Sequence, residues 1–222
     1  MKKAGFFIVF FIMIAGCAPA LGEPYQDSGT PSSPRVDSMR FEDISEERNK
    51  DISIVYPQVS GLLNIDFQNE LNERLSPPYF EFYLDDETMN HVWYEYSIIS
   101  DIMFSFRFYM VRYSDGMNRP YPSMWAVNVN VETEEYPAFS GVVRIDDDFK
   151  ALFLNGIFVS GRFPEDEDLP DSRERLYERI YDFYLTEDSF GVITGVCRTA
   201  GGYLTFEAKY SDVERFLKIV VP

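Results

Sequence analysis

The chain has 222 residues, 45% hydrophobic and 17% aromatic, including 20 Phe and 15 Tyr, which provides a packed core for one domain or two small ones and excludes global disorder. Its 37 Asp and Glu against 20 Lys and Arg set a formal charge of −17, so nothing neutralises phosphates and a nucleic-acid partner is excluded. Two cysteines and one histidine are too few for a zinc site or for most His-dependent catalysis, and no metal or cofactor is expected.

Lys2 and Lys3 precede the apolar run Phe6–Ile14, which is followed by small residues; this is the anatomy of a signal peptide over residues 1–16. The run is too short to span about 30 Å of hydrocarbon, and it ends in Ile14-Ala15-Gly16-Cys17. These four residues resemble the bacterial lipobox. That resemblance implies cleavage before Cys17 and a thioether-linked diacylglyceryl group on its sulfur, with acyl chains such as palmitate contributing about 0.8 kcal/mol per buried CH₂ to membrane attachment. An ordinary signal peptide or an uncleaved anchor, either with a coincidental cysteine, is the alternative. Residues 17–48 hold Pro19, Pro24, Pro31 and Pro34 with interspersed Gly and Ser, then the charged stretch Glu42–Arg48, and are expected to form a flexible tether.

Residues 49–222 carry the globular patterns, divided into an N-terminal half (49–114) and a C-terminal half (115–222). Ser53–Tyr56 reads as a short strand stopped by Pro57, with Gly61 in the turn that follows. Leu63, Phe67, Leu71 and Leu75 recur every four residues among polar neighbours, which predicts an amphipathic helix capped near Asn64. Phe104, Phe106, Phe108 and Met110 alternate with Ser105, Arg107, Tyr109 and Val111, a long strand expected to pair with Val92–Ile99. After the turn Ser114-Asp115-Gly116, Trp125, Val127, Val129 and Val131 alternate with Ala126, Asn128, Asn130 and Glu132, a strand with one wet face.

Gly141–Ile145 is expected as a further strand, and Asp146-Asp147-Asp148 as a charged turn. Leu176, Ile180 and Phe183 predict a second amphipathic helix within Leu169–Tyr184. Phe190–Val196 and Tyr203–Tyr210 read as closing strands, and Ser211–Leu217 as a short capped helix. Sequence-adjacent strands joined by short turns place the chain in the α+β class, with a mostly antiparallel sheet, two amphipathic helices and a short C-terminal helix.

Motifs for chemistry are sparse. His91 is the sole histidine and is expected at a surface or structural position; Cys197 sits in a β-prone run and is expected as buried packing. The acidic clusters 146–148 and 165–168 lack EF-hand spacing and read as solvated turns. G-x-S-x-G, Walker A, H-E-x-x-H and G-x-G-x-x-G are absent, and Gly191 with Gly195 matches G-x-x-x-G only in a strand context. The stretch Tyr79-Phe80-Glu81-Phe82-Tyr83 alternates aromatics with an acid, a composition suited to protein or glycan recognition as well as to core packing.

Ile54–Leu62, running into the helix with Asn64, Asn69, Leu71 and Asn72, together with Val143–Asp146, Leu152–Phe158, Phe183–Ile193 and Lys209–Val213, resembles the extracytoplasmic module shared by the anti-sigma factor RsiV and PdaC-type polysaccharide deacetylases. The resemblance covers about residues 50–219. It implies a non-catalytic α+β envelope domain of unknown function: in RsiV the module binds lysozyme, and in the deacetylases it accompanies a separate catalytic domain. Where relatives carry a Gly-Gly-Ala-His-like turn, this chain has Asp115-Gly116-Met117-Asn118, so nothing is transferred at that turn.

The sequence reading is therefore a membrane-anchored bacterial lipoprotein facing outside the cytoplasm, not an enzyme, that binds a basic protein such as lysozyme or a cell-wall glycan. Its candidate residues are Cys17 for lipidation and Tyr79, Glu81, Tyr83 and Asp115 for ligand binding. A polysaccharide hydrolase acting through unidentified carboxylates and a purely structural envelope lipoprotein are the alternatives.

Overall fold

The computed structural model describes residues 34–45, 50–76, 88–100, 102–114, 120–163, 168–196 and 202–219, all within one unit, Pro31–Pro222. In chain order the elements are β1 (Arg35–Ser45), β2 (Lys50–Ser60), α1 (Ile65–Arg74), β3 (Thr88–Ser100), β4 (Met103–Ser114) and β5 (Tyr121–Asn130). Then come α2 (Phe139–Val142), α3 (Asp147–Leu154), α4 (Arg173–Glu178), β6 (Ile180–Leu185), β7 (Ser189–Gly195), β8 (Tyr203–Lys209) and α5 (Tyr210–Val213), which runs into a 3₁₀ turn over Glu214–Phe216. The strands form a five-stranded sheet, β1-β2-β3-β4-β5, and a three-stranded sheet, β6-β7-β8. All pairs are antiparallel except β2–β3, so the class is α+β with mostly antiparallel sheets.

The parallel β2–β3 pair requires a crossover, and α1 lies in it. Asn64 caps this helix as its sequence suggests: its Oδ1 accepts from Asp66 N–H (3.0 Å) and Phe67 N–H (3.2 Å). Phe67, Leu71 and Leu75 are buried on one side, against Ile52, Ile54, Val92, Phe104, Phe106 and Phe108. β2 pairs with β3 only over Asp51–Ile54, so its second half has β1 alone as a strand neighbour. That one-sided stretch tolerates Pro57, and the strand continues through it. Asn72 of α1 stands in for the missing strand: Val59 N–H donates to its Oδ1 (2.6 Å), and its Nδ2 donates to Val59 O (2.8 Å).

The three-stranded sheet buries one face (Phe183, Leu185, Phe190, Val192, Phe206) against α3, α4 and the C-terminal turns through Phe149, Phe153, Leu176, Val213 and Phe216. Its other face meets the five-stranded sheet where Tyr184 and Ile193 pack with Met124, Tyr109 and Ala126. Side chains stitch β5 to β6: Ala126 N–H donates to Asp182 Oδ2 (2.7 Å), and Tyr181 Oη donates to Met124 O (2.8 Å).

Four sequence expectations change. The tether expected through residue 48 gives way to β1 over Arg35–Ser45, which pairs along the whole open edge of β2 and packs Val36 and Phe41 against the α1 core. Gly141–Ile145 is no strand: α2 ends at Val142, and Val143 makes only an isolated bridge to Leu217. The Asp146–Asp148 turn is the cap and first turn of α3, with Phe149 N–H donating to Asp146 Oδ1 (2.9 Å). The helix expected to Tyr184 stops at Glu178, because Phe183 and Leu185 face one core and Tyr184 the other side. A strand buried on both faces reads as a continuous apolar run that spacing cannot tell from a helix.

Candidate functional site

Strand alternation sends Arg107 and Tyr109 of β4 to the face opposite the α1 core, and their β3 partners in register are Glu95 and Trp93. The same face of the molecule receives Tyr203 and Glu207 from β8 and Tyr184 from β6. Arg107, Tyr109, Tyr184, Tyr203 and Glu207, together with Arg162 from the bend after Val159, line a cleft of about 260 Å³ at the junction of the two sheets; Trp93 and Glu95 reach it only through their contacts with Tyr109 and Arg107. The bend is held by a two-way bridge in which Val159 and Glu207 exchange N–H···O bonds of 2.9 Å.

Register explains how Tyr184 reaches across the second sheet. Tyr184 pairs with Gly191, and Gly191 pairs with Glu207. With no side chain at Gly191 the ring lies flat over the middle strand; a Cβ there would fall inside the van der Waals envelope of the ring's Cζ, Cε1 and Cε2. The hydroxyl then donates to Glu207 Oε1 at 2.7 Å.

On the first sheet, Tyr109 Oη donates to Glu95 Oε2 (2.9 Å), and Arg107 Nη2 pairs with the same oxygen at 3.1 Å. The Arg107 guanidinium also lies 5.2 Å from the Tyr184 ring centre, and its Nε is buried without an acceptor among the described residues. Trp93 stacks on Tyr109 with centroids 5.6 Å apart and planes 15° apart, yet is 43% exposed. The cleft thus offers flat aromatic faces, two guanidinium groups and the Glu207 carboxylate, with the Glu95 carboxylate bonded to its Tyr109 and Arg107.

Burial pushes the Tyr109 and Tyr184 hydroxyls well above the ordinary tyrosine range, the neighbouring Glu95 and Glu207 adding to it, and burial does the same for Tyr181 and Tyr210. They remain neutral donors at physiological pH. As pH rises, the unfolded chain loses these protons near 10.0 and the folded one later, so the stability is full below about pH 10 and falls above it. In an alkaline titration, a late phase of tyrosinate absorbance should coincide with loss of the near-UV circular dichroism. Complete tyrosinate formation with a native near-UV spectrum would contradict this burial.

The ligand-binding candidates Tyr79, Glu81, Tyr83 and Asp115 lie outside the described residues, as do Cys17 and Cys197. His91 Nε2 stands 3.8 Å from Asp51 Oδ2, with its side chain 43% exposed. Asp146 serves a cap, and the Phe149 N–H that it accepts, helped by Arg144, holds its carboxyl below the usual range. Among the described residues no group of three His, Cys, Asp or Glu could hold a metal ion, and no helix is long and apolar enough to cross a membrane. Trp93, Arg107, Tyr109, Arg162 and Tyr203 were not singled out from sequence. For Arg107 and Tyr109 the signal was present as the polar half of an alternating strand; for Arg162 and Tyr203 there was none.

No protein-family model matches the sequence, and no curated protein is similar to it. Among the solved structures that share its architecture are two DUF3298 family proteins. A DUF3298 family member from Bacteroides fragilis superposes with a TM-score of 0.61 at 12% identity, over 85% of this chain and 95% of that one. A DUF3298 family protein from Pseudomonas aeruginosa PAO1 gives a TM-score of 0.55 at 12% identity, over 85% and 96% of the two chains. At such identity the likeness establishes the fold, that of a domain of unknown function, and assigns no site.

Proposed function

We propose that the chain is an exported lipoprotein, anchored through Cys17, whose α+β domain binds a cell-wall glycan non-catalytically in the cleft between its two sheets. The observation that carries this reading is Trp93, a large aromatic face left 43% exposed and stacked on Tyr109, which itself lines the cleft. Such a platform suits the apolar C–H face of a sugar ring, and the flanking Glu95 and Glu207 carboxylates accept from ring hydroxyls. The lipobox and the resemblance to the RsiV and PdaC envelope module support the same location.

The test is co-sedimentation of the full chain, in detergent, with purified peptidoglycan. Trp93→Ala is expected to weaken binding by about 2 kcal/mol, roughly 30-fold. Undiminished binding by the variant would overturn the assignment of the cleft, and release of reducing ends by the wild type would overturn the non-catalytic part. The charge of −17 favours a second reading, a basic protein partner such as lysozyme. Saturable lysozyme binding that persists at about 0.5 M salt and ignores Trp93→Ala would select it over the glycan.

A further inference from the structure

Glycan binding as such leaves the guanidinium groups of the cleft unexplained, and their different commitments suggest what kind of saccharide is bound. Arg107 is engaged by Glu95 through Nη2. Arg162 lines the same cleft, is exposed, and pairs with no carboxylate among the described residues; its recorded contact is with the ring of its neighbour Phe163 at 5.3 Å. Tyr203 lines the same cleft, and its hydroxyl has no hydrogen-bond partner among the described residues. Among the described residues the cleft therefore presents one guanidinium and one phenol without a polar partner, on a protein whose overall field, at −17, repels anions. An uncommitted cation inside such a field distinguishes ligands by local charge, since neutral sugars gain little from it.

We propose that the cleft selects a saccharide bearing a carboxylate, whose two oxygens meet the Arg162 guanidinium fork while the Tyr203 hydroxyl donates to one of them. The inference rests on the glycan reading above and refines it. A planar two-oxygen anion matches the donor geometry of a guanidinium. A single uncommitted positive charge matches a monoanion better than a phosphate dianion. Stacking on the exposed face of Trp93 holds the sugar ring, and Glu95 Oε1, which neither Tyr109 nor Arg107 uses, is open to a ring hydroxyl.

Two probes and one variant test it: an N-acetylglucosamine tetramer whose alternate rings carry a lactyl carboxylate, the methyl ester of that tetramer, and Arg162→Gln. Binding to the full chain is read from Trp93 fluorescence, with Trp93→Phe as the control that assigns the signal. The wild type is expected to bind the acid at least ten-fold more tightly than the ester, and Arg162→Gln to reduce that ratio to below two-fold while leaving ester affinity unchanged. Equal binding of acid and ester by the wild type would overturn the carboxylate selection and leave the glycan reading standing. A preference that survives Arg162→Gln would overturn the role of Arg162. Failure of both probes to bind would overturn the glycan reading and this inference together. Because Arg162 is exposed on a bend, its substitution leaves the fold intact, and an unchanged melting curve verifies that.

Discussion

Replacing Gly191 by alanine is expected to lower the melting temperature by roughly 6–12 °C, from a loss of about 3 kcal/mol at about 2–4 °C per kcal/mol for a domain of this size. A methyl group at residue 191 would occupy the space of the Tyr184 ring. The ring has little room to yield. It is 2% exposed, packs with Met124 and Ile193 in the seam between the sheets, and is tied to Glu207 by its hydroxyl. The physical cause is the pairing, so a double-mutant cycle isolates it. Tyr184→Ala alone should cost about 3–5 kcal/mol as a large aromatic lost from a packed site, but adding Gly191→Ala to it should cost little more, since the clash is gone. Thermal unfolding followed by circular dichroism decides the matter. A Gly191→Ala protein melting within about 1 °C of the wild type would mean that Tyr184 does not lie across the middle strand.

Asn128→Ala is expected to cost about 2–6 kcal/mol, because it strips two partners at once from the buried seam. Ser105 Oγ donates to Asn128 Oδ1 (2.7 Å), Asn128 Nδ2 donates to Phe183 O (2.7 Å), and Leu185 N–H donates to Ser105 Oγ (3.0 Å). These bonds link β4 and β5 of one sheet to β6 of the other, and both polar side chains are buried. Removing Asn128 leaves the Phe183 carbonyl and the Ser105 hydroxyl unsatisfied, at about 1–3 kcal/mol each. Ser105→Ala should cost less, about 1–3 kcal/mol, through the orphaned Leu185 N–H. Urea unfolding measures both, and an Asn128→Ala midpoint equivalent to less than about 1 kcal/mol would show that the seam is held by apolar packing alone.

Both predictions fall on residues that the linear sequence marked only faintly. Gly191 entered as half of a discarded G-x-x-x-G pattern, and Asn128 as one polar position on a half-wet strand. Their importance comes from register. The row Tyr184–Gly191–Glu207 runs across three strands, and the pair Ser105–Asn128 becomes a seam only because β6 lies against β5. The helix α1 was legible for the opposite reason, since its cap and its four-residue apolar spacing both act within about a dozen residues. The α3 helix had an equally local signal in Asp146 and the Phe149–Phe153 spacing. Three successive aspartates, however, suit a turn as well as a helix start.

What the sequence by itself determined is what short-range physics determines. Composition set the presence of a core, and periodicity set α1, the β3–β4 pair, β5, the two closing strands and the α+β class. The reading of Cys17 as a lipid anchor likewise rests on a linear motif alone. Only the tertiary structure decided that Arg35–Ser45 is a strand, because an edge strand forms against the backbone groups of its neighbour and the core it packs on. Only the tertiary structure brought Trp93, Arg107 and Tyr109 to Arg162, Tyr203 and Glu207. Alternation says that a strand has two faces, but which polar face meets which is set by how two sheets pack, and that depends on contacts far apart in the chain.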